Sequence, residues 1–174
     1  MKKATCSIFC LAFLFCILPV TTFANDFTDN AISVFKELRK LDEESRAAFM
    51  SGDSNFNKEK GELLTSKKEE YNKILKSLPG EYCTDPQQGL LKEFINTLIN
   101  STDEYPTYVF AELYACDPDR IIKEILSLPP ENKRKISDDL DWGFKNIKYK
   151  IESHPDYKEL KDKLKNLKNT VRGK

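Results

Sequence analysis

Apolar residues recur at intervals of three and four along most of the chain and almost never at two, so they line single faces of α-helices. Ala31, Val34, Phe35, Leu38 and Leu41 form a first stripe, continued by Ala48 and Phe49, with Asp26 or Thr28 as start cap and Gly52 as stop. A polar stretch over 51–57 separates it from a second stripe of Leu63, Leu64, Tyr71, Ile74, Leu75 and Leu78. Pro79-Gly80 is expected to end that helix, because proline breaks the hydrogen-bond ladder and glycine suits a turn.

Shorter helices are expected from there on. Asp85-Pro86 reads as a cap and first-turn proline ahead of Leu90, Leu91, Phe94, Ile95, Leu98 and Ile99. Thr102 or Asp103 opens the next segment, with Pro106 in its first turn and Tyr108, Val109, Ala111, Leu113 and Tyr114 inside. Asp117-Pro118 opens another, which carries Ile121, Ile122, Ile125 and Leu126 up to Pro129-Pro130. Ile136, Leu140, Phe144 and Ile147 mark a further helix. Ser153-His154-Pro155 starts the last, where Tyr157, Leu160, Leu164, Leu167 and Val171 make a narrow heptad seam.

This pattern predicts an all-α domain of six or seven helices: a long hairpin over 25–80, an array of short hairpins over 81–152, and an amphipathic C-terminal helix over 153–174. The starts at Cys83-Thr84-Asp85-Pro86 and Cys116-Asp117-Pro118 resemble each other, each followed by an apolar doublet and a Lys-Glu pair. A spacing in the thirties is what stacked helix pairs of the α-solenoid, HEAT-like type produce.

Residues 1–24 read differently. Lys2-Lys3, an apolar run from Ile8 to Val20 and Thr22-Phe23-Ala24 have the form of a secretory signal peptide cleaved after Ala24. The run is too short for a membrane span, and its brevity suggests a bacterial exporter, which makes the expected location periplasmic or secreted. Cleavage would leave 150 residues with 26 bases and 28 acids. Those charges are uneven: residues 81–130 carry 3 bases and 9 acids, residues 131–174 carry 13 bases and 8 acids. An acidic centre in a near-neutral chain does not suit a nucleic-acid binder. Of the five cysteines only Cys83 and Cys116 lie outside the signal, an even pair for which a structural disulfide is expected.

Candidate chemistry is sparse. His154 is the only histidine and precedes proline at a helix start, which suits capping and excludes a multi-histidine zinc site. Asp138, Asp139 and Asp141 before Trp142-Gly143 have the composition of a calcium loop but not its spacing, since Leu140 stands where an oxygen ligand is needed. No metal or cofactor is expected. Glu112, between Ala111 and Leu113, is the best single candidate for an acid with a raised pKa, although solvent or a basic partner would satisfy it as well. Trp142 lies off its helix's apolar stripe, and Gly143 beside it suggests a close helix approach. Asp103, Glu104, Tyr105, Tyr108 and Glu112, with Asp138, Asp139 and Trp142, therefore make a candidate acidic, aromatic surface for another protein with a basic face. The expectation is a non-catalytic exported binding module, in its most concrete form an inhibitor or immunity-type protein that neutralises a toxin or an envelope-degrading enzyme. A periplasmic chaperone or adaptor for hydrophobic clients is the alternative, and a hydrolase using carboxylates alone is the next.

Overall fold

The computed structural model describes residues 21–173, which form eight α-helices and, among them, no strand. The expected signal peptide falls almost wholly outside those residues. Helices α1 (Thr21–Ser51) and α2 (Phe56–Thr84) make the long N-terminal hairpin. Gly52, at φ 73°, supplies the left-handed residue that ends α1. The start differs from expectation, because α1 already runs through Asp26 and Thr28, so neither caps it. Phe49 also leaves the expected stripe. It is 84% exposed at the end of the hairpin, while Ala48 beside it is buried.

Helix α2 does not stop at Pro79-Gly80 but continues to Thr84. The proline removes one backbone donor at a cost of about 3 kcal/mol. Leu75, Leu78 and Tyr82 are nevertheless all fully buried on one face that spans the proline, and keeping that face intact outweighs the lost bond. Asp85 consequently caps the end of α2, its N–H donating to the Glu81 carbonyl, and does not start the next helix. Helix α3 (Gln88–Asn100) begins two residues after Pro86 without a side-chain cap.

The second corner follows the expectation closely. Helix α4 (Tyr105–Cys116) ends at Asp117, whose Oδ1 accepts the Arg120 N–H and whose neighbour Pro118 opens α5 (Pro118–Ser127). The two corners lie side by side. Arg120 reaches from one to donate to the Pro86 carbonyl of the other at 2.7 Å, and the disulfide Cys83–Cys116 joins them with Cα atoms 5.6 Å apart. Helix α6 (Pro130–Asn146), a single turn α7 (Lys148–Ile151) and α8 (Tyr157–Arg172) complete the chain. That single turn raises the helix number from the expected six or seven to eight. The N-cap of α8 is Asp156, without a side-chain cap, and His154 serves the turn before it, its Nδ1 accepting the Asp156 N–H.

One core runs through the domain. Helix α4 is its axis: Val109, Phe110, Ala111, Leu113 and Tyr114 are buried around most of its circumference, against α2 on one side and α6 on the other. Edge-on aromatic contacts link Tyr71 to Phe35, and Phe94 to Phe110, with Phe94 tilted against Phe35. Tyr114 continues the core toward α8, packing edge-on against Phe144 and donating its hydroxyl proton to the Leu160 carbonyl at 2.8 Å. Burial pushes the phenol of Tyr114 well above its ordinary range, with Asp119 and Glu159 adding to the shift. Leu160, Leu164 and Leu167 bury the heptad seam of α8 against α6 and α5.

Candidate functional site

The loop between α3 and α4 builds one rim of a small notch. Ser101 Oγ accepts the Asp103 N–H, and Asp103 Oδ1 accepts the Tyr105 N–H, both at 3.1 Å. Thr107 closes the first turn of α4, its hydroxyl donating to the Glu104 carbonyl at 2.6 Å. These local bonds hold Asp103 and Glu104 at the mouth of the turn.

Helix α6 supplies the other wall, and Gly143 lets it approach. A Cβ at that position would stand 2.1 Å from the Thr107 carbonyl oxygen and 3.4 Å from the Ala111 Cβ. The close approach expected from sequence is therefore the α4–α6 crossing. It brings Trp142 onto Tyr108 in a parallel stack, ring centroids 5.2 Å apart and planes 14° from parallel. Asp139, one turn earlier on the same helix, faces the same space. Lys135 fixes it, donating to Asp139 Oδ2 at 2.6 Å and to the last-turn Leu98 carbonyl of α3 at 2.9 Å.

The resulting cavity holds about 150 Å³ and is lined by Asp103, Glu104, Asp139 and Trp142, with Leu98 and Thr107 at its base. Trp142 is 37% exposed, partly seated and partly free. Tyr105 is also partly exposed, at the first turn of α4 beside the rim. Two other candidates stand apart. Glu112 is held by Lys150 at 2.7 Å, which raises the lysine's pKa, first through that hydrogen bond. Asp138 turns toward α8 and pairs with Arg172 at 2.5 Å. The three neighbouring aspartates thus meet different cations, since Asp141 takes Lys145 and Lys168. Among the described residues no group of three or more His, Cys, Asp or Glu side chains is placed to hold a metal. No helix of that part is long and apolar enough to cross a membrane.

Sequence reasoning missed a cavity of about 750 Å³ between α6 and α8. Its signal was present in the lysines that flank the leucine seam of α8, but a one-dimensional pattern assigns those to solvent. No protein-family model matches the chain, and neither does any curated protein or solved structure.

Proposed function

We propose that this chain is an exported, non-catalytic protein-binding module that grips a basic surface of its partner in the acidic, aromatic notch. The observation that carries this reading is the convergence of Asp103, Glu104, Asp139 and Trp142 around one cavity, with Trp142 stacked on Tyr108. A partly exposed tryptophan seated on a second ring loses little entropy on binding and offers a large apolar contact. Carboxylates at the rim add steering and selectivity toward lysine or arginine, mainly through the association rate. Lys135 already neutralises Asp139, which leaves Asp103 and Glu104 as the charges available to a partner. The exposed disulfide fits an oxidising compartment. An inhibitor or immunity-type protein, which neutralises a toxin or an envelope-degrading enzyme, needs this kind of stapled scaffold with a charged surface.

The test is affinity capture from envelope and culture-fluid extracts with the oxidised protein as bait, beside a Trp142→Ala bait and an Asp103→Asn/Glu104→Gln bait. A single stoichiometric partner, lost or strongly depleted with both variants, is the expected result. A partner retained by both would move the interface away from the notch. A second reading, an adaptor for hydrophobic clients, draws on Phe49 and Met50, 84% and 83% exposed at the end of the α1–α2 hairpin. It predicts many weak clients, lost on Phe49→Ser/Met50→Ser and indifferent to the notch variants.

A further inference from the structure

We propose that the groove between α6 and α8 is a second docking site, opposite in charge to the notch, which takes an acidic amphipathic helical segment of a protein. Its walls are cationic. Lys145 and Lys148 stand on one side; Lys161, Lys165, Lys168 and Arg172 stand on the other. The last four step by 4, 3 and 4 along α8, so they share one stripe about 16 Å long.

The floor is apolar. Phe144 and Tyr157 stack in parallel at 5.7 Å, and Leu164 lies beside them. Only two acids line the groove, Asp141 and Asp162. Asp141 is already engaged by Lys145 at 2.8 Å and by Lys168. Arg172 leans on Asp138, and Lys148 on Glu152 at 3.5 Å, through solvent-exposed pairs of the kind that contribute little and exchange readily. Lys161 and Lys165 meet no carboxylate among the described residues.

Three features select the occupant. Cations on two facing walls enclose a rod and do not present a plane, which disfavours a membrane surface; Asp162, which lines the groove, would also meet the lipid headgroups. Acids within the groove interrupt the run of positive charge that a phosphate backbone requires. Tyr157, half-buried over the buried Phe144, gives apolar side chains a seat, which a polyanion lacking them would leave unused. A helix with carboxylates three and four residues apart beside a leucine stripe satisfies both walls and floor over three turns. This site is independent of the notch, and either reading stands without the other.

The experiment is selection of a random 15-residue peptide library on the immobilised oxidised protein, followed by fluorescence anisotropy with the enriched peptides. Acidic, leucine-bearing peptides are expected. Binding should weaken at least tenfold in Lys161→Glu/Lys165→Glu, weaken as salt rises from 50 to 300 mM, and stay unchanged in Trp142→Ala. Both lysines are exposed, so an unchanged urea midpoint will show that the double variant folds. Failure to enrich any peptide, enrichment of non-acidic peptides, or affinity indifferent to Lys161→Glu/Lys165→Glu would each overturn the proposal. So would tighter binding to phosphatidylglycerol vesicles or duplex DNA, measured in parallel, than to the best peptide.

Discussion

Gly143→Ala is the most informative single change, because local and tertiary physics give it opposite signs. In an isolated helix alanine is better than glycine by about 1 kcal/mol. At Gly143 the added Cβ would stand 2.1 Å from the Thr107 carbonyl oxygen and 2.8 Å from its carbon. An ordinary carbon–oxygen contact is about 3.3 Å, so α4 and α6 must separate by roughly 1 Å. That obstacle is backbone, which cannot swing aside as a side chain would. A gap of that size forfeits about a quarter to a half of the dispersion energy of the atoms facing it. Overpacked cores lose about 1–3 kcal/mol. Since α4 is the axis of the core, the upper end of that range applies, and the helix-propensity gain offsets only part of it. A net loss of about 2 kcal/mol is expected in urea denaturation of the oxidised protein, with Trp142 fluorescence shifted by disturbance of its stack on Tyr108. Gly80→Ala is the control. It lies inside α2 with nothing within 4 Å of the added Cβ, so propensity alone should stabilise it by up to about 1 kcal/mol. If Gly143→Ala proved as stable as the parent while Gly80→Ala gained, the close approach of α4 to α6 would be refuted.

Two further outcomes test other parts of the structure. Replacing Cys83 and Cys116 by serine removes a closure of 33 residues, and the chain-entropy argument gives a loss of roughly 3.5–4 kcal/mol, read as a lower urea midpoint; a loss under about 1 kcal/mol would mean the corners hold each other without the bridge. Asp141 is subject to a desolvation that would raise its pKa, but hydrogen bonds from Lys145 and Lys168 outweigh it and hold the carboxyl below its ordinary value. Its stabilising contribution is therefore complete above the unfolded-state value near pH 4 and is lost as pH falls through the depressed folded value. Asp141→Asn should cost about 1 kcal/mol at pH 7, and its deficit in denaturation experiments should shrink by pH 3; a deficit equal at both pH values would assign the effect to packing.

The parts legible in the sequence are those fixed within a few residues. The heptad seam of α8, the Asp117-Pro118 start and the steric demand at Gly143 all follow from local chemistry. Similar local signals failed where a distant contact outbid them. Pro79-Gly80 has the form of a stop, yet Tyr82 is fully buried beyond it, so the helix continues. Asp85-Pro86 repeats the motif of Asp117-Pro118, and both Asp backbone N–H groups close a preceding helix, but only the Asp117 side chain also caps the helix that follows. Phe49 fits its stripe, yet the hairpin ends before any partner covers it. The acidic notch was half legible: Asp103, Glu104, Tyr105 and Tyr108 are neighbours in sequence, and Asp139 and Trp142 join them only through the α4–α6 crossing. Glu112 and Asp138 shared the composition of that group but found Lys150 and Arg172 instead.

Helix α6 explains why one crossing matters to both candidate surfaces. Asp139 and Trp142 face the notch, while Asp141, Phe144 and Lys145 face the groove. The side chains between the two surfaces are therefore held by one helix, seated on α4 through Gly143. The disulfide anchors the opposite end of α4 from the notch, eleven residues and about 16 Å beyond Tyr105. Reduction should then loosen the α2–α4 corner while leaving the Trp142–Tyr108 stack in place, whereas separation of α4 from α6 disturbs the notch and the groove together. The order of effects follows from this arrangement: the bridge governs global stability, and the glycine crossing governs the geometry of both surfaces.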